Sequence, residues 1–97
     1  MAEWRTASHL RDHFRDHGQE LGCSTIEEYD AVAQSTLDHG TYFEYYDDTS
    51  QETRIGCYDR SAERLTILDT DNRIVSHFRC AEWYVAGLPE SNYDPPR

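Results

Sequence analysis

Three histidines recur at four-residue intervals near the start of the chain, at His9, His13 and His17 in the stretch SHLRDHFRDHG. The whole chain contains five histidines, so this short stretch holds most of them. Histidine changes its charge close to neutral pH and also binds transition metals. The spacing therefore raises three possibilities: a metal site, one half of a catalytic site, or a helix whose histidines only make local hydrogen bonds.

The metal possibility lacks ligands. Histidines at positions i and i+4 of a helix can share an ion, but a third histidine two turns along lies about 12 Å further up the helix and cannot reach the same ion. The nearby acids, Asp12 and Asp16, fall on the solvent side of the helix, and the chain has no Cys-x-x-Cys pair. The sequence therefore predicts no metal and no cofactor.

The second possibility is proton transfer during cleavage of RNA. Attack by a ribose 2′-hydroxyl on the adjacent phosphate needs a base, an acid, and donors or cations that stabilise the charge building on the phosphate. His13 and His17 suit the proton-transfer roles, because a helical wheel places both on or beside the apolar stripe. Arginine holds phosphate through paired hydrogen bonds. Residues of the predicted sheet that could complete such a site are Arg54, Tyr58, Ser76, His77 and Arg79.

The composition restricts the partners and the setting. The 97 residues suffice for one domain and carry a net charge of −10, from 19 acidic residues against nine arginines and no lysine. Such a surface repels nucleic acid at long range, although a local arginine can still hold one phosphate. Three widely spaced cysteines indicate no disulfide framework. No membrane span and no signal peptide are evident, so we expect a cytoplasmic protein, unless the domain belongs to a larger secreted one.

The pattern of apolar residues predicts an α+β fold, in which two N-terminal helices pack on a four-stranded antiparallel meander. The helices are expected over about 6–17 and 25–38, and the strands over about 41–47, 53–59, 64–69 and 73–80. Thr6 can cap the first helix, and Gly18 stands where a left-handed residue would end it. Ser24 and Glu27 form a capping box at the start of the second helix.

After residue 40 the apolar period changes to two, which is typical of strands. In the last strand this alternation predicts one face with Ile74, Ser76 and Phe78, and another with Val75, His77 and Arg79. Trp83 and Tyr84 are expected to close the core at the sheet edge, and His9 and His39 to face solvent. Residues 1–5 are expected to be loose, and residues 86–97 to form a frayed tail.

The first half of the chain also resembles a known family. The segment HFRDHGQELGCSTIEEYDAVAQ is similar to the opening of small bacterial and phage toxin-type domains, which carry His-Phe-x-x-His-Gly-x-x-x-Gly and then a Ser-x-x-Glu-Tyr helix. The matching residues are His13, Phe14, His17, Gly18, Gly22, Ser24, Glu28 and Tyr29. In the second half, the segments that resemble the family are 57–59, 65–69 and 74–78. Such domains belong to the barnase/colicin/RelE-like group of metal-independent ribonucleases, in which helices pack on a four-stranded antiparallel sheet.

The resemblance implies a site as well as a fold. His13 and His17 would supply the acid and base, and Ser76 stands at the position of a family threonine. Position on the strands adds Tyr58 as a further catalytic candidate and Arg54, Arg79 and His77 as substrate-binding candidates. The implied partners are RNA, including tRNA, and a cognate inhibitor.

The chain departs from the family in two ways that leave a second function open. It is strongly acidic where toxin-type domains are commonly basic, and serine replaces the threonine. An acidic copy could be an inactive interaction module, such as an inhibitor, immunity or regulatory protein, that binds a basic protein or another copy of itself. A histidine-based metal site on the first helix is the third alternative.

Overall fold

The computed structural model describes residues 1–97 and has the α+β architecture that the sequence predicts. Four antiparallel strands form one sheet in the order β1-β2-β3-β4. The strands are β1 (Thr41–Asp47), β2 (Glu52–Asp59), β3 (Arg64–Leu68) and β4 (Ile74–Arg79), and the helices are α1 (Ala7–His17), α2 (Ile26–His39) and α3 (Glu82–Ala86). No helix is both long and apolar enough to cross a membrane.

The helix caps follow local chemistry, with two shifts from expectation. Thr6 caps α1 by accepting a hydrogen bond from the His9 amide, as predicted. The cap of α2 is Thr25, one residue later than predicted, because the same Ser/Thr-x-x-Glu pattern recurs there with Glu28. Gly18 has a right-handed backbone (φ −57°), and a side chain at this position would overlap the Phe14 ring. Glycine is therefore required there by close packing and not by a left-handed turn.

One face of the sheet is covered by α2, whose buried residues are Tyr29, Ala33 and Thr36. The Thr66 hydroxyl of β3 donates a hydrogen bond to the Ala33 carbonyl over 3.2 Å. The Cys57 thiol of β2 lies 3.3 Å from the Thr36 carbonyl. These contacts hold α2 directly against the two central strands.

The opposite face of the sheet is covered by residues 82–93, the C-terminal segment. It closes a second core cluster, which comprises Phe43, Tyr45, Tyr58, Leu65, Ile67, Val75 and Val85. The Glu44 amide of β1 donates to Asn92 Oδ1 over 2.7 Å, and the Asn92 amide donates back to the Glu44 carbonyl over 3.1 Å. The sequence predicts a frayed tail over 86–97. Residues 86–93 are instead fixed on the sheet, because the second apolar face of the sheet must be covered.

The N-terminal residues are also fixed, although the sequence predicts that they are loose. Trp4 forms an isolated parallel bridge with Ile74 of β4, and its indole N–H donates to Asp30 Oδ1 over 2.8 Å. Because this bridge lies beside β4, the helix that follows it, α1, begins at the β4 edge of the sheet.

A register shift between β3 and β4 decides which side chains of β4 face each side of the sheet. Ile67 pairs with Ser76, but the next residue, Leu68, pairs with Ile74, so Val75 is the extra residue of a β-bulge. Ile74 therefore packs on the α2 side, whereas Ser76 and Phe78 face the C-terminal segment. Strict alternation, which places Ile74 with Ser76, is wrong at this bulge.

Gly56 provides a test of the second core cluster. It pairs with Phe43 across β1 and β2, and a Cβ atom at Gly56 would overlap the Phe43 ring. We expect Gly56→Ala to lower the free energy of unfolding by about 1–3 kcal/mol, because overpacking forces the ring to move. Urea unfolding measures the loss. Combining Gly56→Ala with Phe43→Leu should give a total loss smaller than the sum of the two single losses. Strict additivity would contradict this packing.

Candidate functional site

A groove of about 300 Å³ opens on the C-terminal-segment side of the sheet, between α1 and α3. Polar and aromatic side chains of α1, β1, β2, β4 and α3 line it. They include His9, His13, Tyr45, Arg54, Ser76 and Tyr84. Three residues that the sequence singles out, His13, Arg54 and Ser76, therefore line one groove. His13 and Ser76 are 63 positions apart in the chain, so only the packing of α1 on β4 brings them together.

His13 is the central titratable group of the groove. Its Nδ1 lies 3.5 Å from the Ser76 hydroxyl oxygen, and its ring stacks on that of His17 with centroids 5.7 Å apart. Burial lowers the pKa of His13 below its ordinary 6.5, and the neighbouring charges of His17 and His9 lower it further. His13 is therefore mainly neutral at pH 7 and can accept a proton.

His17 lies behind His13 and does not line the groove. Its Nδ1 is 2.9 Å from Glu20 Oε1, and the other oxygen of that carboxylate accepts a hydrogen bond from the Arg79 amide over 2.9 Å. Glu20 thus ties the end of α1 to β4. The structure places His17 beside the site, stacked on His13, and not in contact with the open groove.

Arg54 is an almost buried cation, with 8% of its surface exposed. Its Nε lies 2.9 Å from Glu52 Oε1, yet the N–H is not aligned with that oxygen and has no hydrogen-bond partner. Buried donors are nearly always paired, and a buried charged donor without a partner is costly. Because Arg54 also lines the groove, an oxygen-rich anion there would pair with its guanidinium in competition with Glu52.

Two residues of the groove were not singled out by sequence reasoning as part of a site. His9 was expected to face solvent, but it lines the groove one turn from His13, and its Nδ1 is 2.6 Å from the Thr6 hydroxyl. Tyr84 was expected to close the core, but 39% of it is exposed at the groove. The i, i+4 spacing of His9 and His13 was the signal available for the first, whereas nothing local marked the second.

Besides His17, three predicted site residues lie outside the groove. Tyr58 is buried in the second core cluster, where its hydroxyl donates to the Cys80 carbonyl over 2.8 Å and burial raises its pKa to about 12. Arg79 is exposed and lies 3.2 Å from Glu63. His77 is fully buried beneath α2, where its ring packs edge-on against that of Tyr29. The geometry gives these three residues structural contacts and no place in the groove.

His77 is held by hydrogen bonds on one side only. Its Nδ1 is 3.1 Å from the Leu65 carbonyl and 2.9 Å from the Thr66 hydroxyl, so Nδ1 carries the proton, because a carbonyl can only accept. The buried Nε2 has no partner. Burial is the main reason that the pKa of His77 falls to about 4.

We expect this buried histidine to destabilise the fold on acidification. The unfolded chain binds a proton at His77 near pH 6.5, whereas the folded protein resists it down to about pH 4. Protonation of His77 therefore leaves the free energy of unfolding nearly unchanged above pH 6.5. Below that pH it lowers the free energy of unfolding progressively, by about 2 kcal/mol at about pH 5. Urea unfolding at pH 7 and pH 5 measures this loss. A His77→Leu variant should show a smaller difference, and an equal difference in both proteins would contradict the assignment.

Other depressions on the surface lack this combination of groups. A depression of about 500 Å³ surrounds His39 and Arg60, but Arg60 is engaged, with its Nε 3.1 Å from Glu82 Oε2. Another, of about 580 Å³ beside Tyr42, contains neither histidine nor arginine. No group of three or more histidine, cysteine or acidic side chains is arranged to hold a metal ion.

No family model, curated protein or solved structure matches this chain.

Proposed function

We propose that the groove binds a phosphodiester of RNA and cleaves it without metal, by histidine acid–base chemistry. The observation that carries the proposal is the almost buried Arg54, whose Nε–H lacks a hydrogen-bond partner, in the same groove as a neutral His13 and the Ser76 hydroxyl. A cation, a hydroxyl donor and a base are the groups that this reaction needs around one phosphate.

Three residues of the groove act on the phosphate or on the attacking hydroxyl in the proposed reaction. Arg54 donates hydrogen bonds to the non-bridging phosphate oxygens, and the Ser76 hydroxyl adds another donor. His13 takes the proton from the ribose 2′-hydroxyl, whose oxygen attacks phosphorus and forms a 2′,3′-cyclic phosphate. The departing 5′-oxygen must then receive a proton.

His9 is better placed than His17 to supply that proton. It lines the groove together with His13, whereas His17 does not. Its Nδ1 is engaged by Thr6, which leaves Nε2 free to exchange a proton. In this proposal His17 and Glu20 hold His13 in position, because the rings of the two histidines stack and Glu20 anchors the outer one.

The charge of the chain limits how RNA can bind. A net charge of −10 opposes long-range attraction, Glu52 lies 2.9 Å from Arg54, and the carboxylate of Asp47 lines the groove. Binding in this proposal depends on direct contacts with a short stretch of RNA and not on a broad basic surface.

The same acidity favours a second candidate function. An inactive domain with this charge would bind a basic protein, a cognate toxin or another copy of itself, and the exposed Trp83 is a residue type common at the centres of protein interfaces. This interaction module is the alternative against which the ribonuclease proposal is tested.

Cleavage in EDTA separates the two functions. We propose to incubate total RNA and a tRNA pool with the wild type, with His13→Ala, and with His39→Ala as a matched exposed histidine outside the groove. Cleavage by the wild type and His39→Ala, but not by His13→Ala, with products that end in 2′,3′-cyclic phosphate, would support the proposal. No cleavage by folded wild type would favour the interaction module, and equal cleavage by all three would indicate a contaminating nuclease.

A further inference from the structure

Two adjacent aromatic side chains of α3 lie exposed, and one of them, Tyr84, lines the groove. Tyr84 lines it with 39% of its surface exposed, and the neighbouring Trp83 is 77% exposed. The two ring centroids are 6.4 Å apart at an interplanar angle of 72°. Most of the other large apolar side chains are at least partly buried; the remaining exposed ones are Met1 and Tyr42. Tyr84 presents its exposed part to a ligand of the groove, and Trp83 adjoins Tyr84 just outside the lining.

The pair stands on a fixed support. Val85, next to Tyr84, is fully buried in the second core cluster. Glu82 at the start of α3 lies 3.1 Å from Arg60 Nε, and it accepts a hydrogen bond from the Tyr93 hydroxyl over 2.8 Å. A short helix tied down in this way presents its aromatic rings without further loss of conformational freedom when a ligand binds.

Tyr84 also adjoins the proposed phosphate site through packed side chains. Its ring meets that of Phe78 edge-on, with centroids 5.8 Å apart, and Phe78 lines the groove together with Ser76 and Arg54. An anion site beside exposed aromatic rings is complementary to both parts of a nucleotide. The anion site fits the phosphate, and the rings fit the flat base.

We infer that Tyr84 and Trp83 form a stacking subsite for a nucleobase next to the phosphate at Arg54, and that the groove therefore selects single-stranded RNA. This inference rests on the proposed function. A base in a duplex is already stacked between its neighbours, so only an unpaired base can present its face to these rings. Stacking tolerates all four bases, because each has a π face, so we expect little sequence preference from this contact.

Fluorescence anisotropy with a dye-labelled, single-stranded 2′-O-methyl RNA of mixed sequence tests the subsite, because this probe lacks the attacking hydroxyl and cannot be cleaved. We expect Tyr84→Leu and Trp83→Leu each to weaken binding about tenfold, as the loss of one base-stacking contact does. Tyr84→Phe keeps the ring and should bind like the wild type. The same RNA annealed to its complement should bind at least about tenfold more weakly than the single strand.

The outcomes distinguish failure of the subsite from failure of the groove. If Arg54→Gln weakens binding but both leucine variants bind like the wild type, the subsite is wrong and the proposed function survives. Equal affinity for single strand and duplex would also overturn the subsite. If the wild type binds none of the probes, the subsite and the proposed function are both wrong. Far-ultraviolet circular dichroism of each variant shows that the fold is kept.

Discussion

Replacing His13 by alanine should lower kcat/KM for RNA cleavage about 10²–10⁴-fold, which is the usual effect of removing a general base. The expectation follows from its position 3.5 Å from Ser76 and from the burial that keeps its pKa below 6.5. Because His13 must be neutral to accept a proton and the acid must be protonated to donate one, kcat/KM of the wild type should fall both at low and at high pH. Initial rates on a short RNA between pH 4.5 and 8 measure both effects.

The matched control for this prediction is His17→Ala, on the next turn of the same helix. His17 lies outside the groove, so its loss should reduce kcat/KM much less than the loss of His13. An equal or larger effect of His17→Ala would reassign the base. Losses of less than about threefold for both variants would contradict a catalytic role at either position, since general bases contribute far more.

Replacing Arg54 by glutamine should lower kcat/KM about 10²–10³-fold, as removal of one donor to the charge of a transition state does. The guanidinium is almost buried and lines the groove, and its Nε–H has no aligned acceptor although Glu52 Oε1 lies 2.9 Å away, so a phosphate competes with Glu52 for this cation. Arg54→Lys should recover only part of the loss, because lysine keeps the charge but cannot make paired hydrogen bonds in one plane. Steady-state kinetics on the same short RNA measure both variants.

Arg79→Gln is the control for Arg54, since both are strand arginines within reach of a glutamate. Arg79 lies outside the groove, its side chain is 58% exposed, and it pairs with Glu63 at 3.2 Å. We expect Arg79→Gln to retain wild-type activity. Similar losses in both variants would show that general positive charge, and not the groove, is responsible. Thermal melting of the Arg54 variants separates loss of chemistry from loss of fold.

The sequence predicts the two N-terminal helices and the four strands, because their signals are local, but it does not predict α3. Helix caps lie within four residues of each other, and strand alternation repeats every two residues. The N-terminal residues and the C-terminal segment, which pack against the sheet, carry no such local signals. Trp4 and Tyr93 are single apolar residues among polar neighbours, and each becomes part of the fold through contacts with residues distant in the chain. Their partners could not be predicted from local spacing.

The site was only partly predictable for the same reason. Arg54 and Tyr58 lie on the same face of β2, but the C-terminal segment covers Tyr58, as the 5.8 Å between the rings of Tyr58 and Tyr93 shows, and leaves Arg54 at the open end. Ser76 and His77 are adjacent on β4 and point to opposite faces, so one lines the groove and the other is buried under α2. Sequence alone identifies candidate residues, but burial by distant segments selects among them.

The most direct test of the central claim, that the groove holds a phosphodiester, is an NMR titration with an uncleavable 2′-deoxy dinucleotide. We expect the side-chain signals of Arg54 Nε and of the His13 ring to shift together and to saturate with one dissociation constant. The ring signals of His39 should not move, because His39 lines a different depression. Shifts confined to His39 and Arg60, or no saturable shift at Arg54 and His13, would contradict the account.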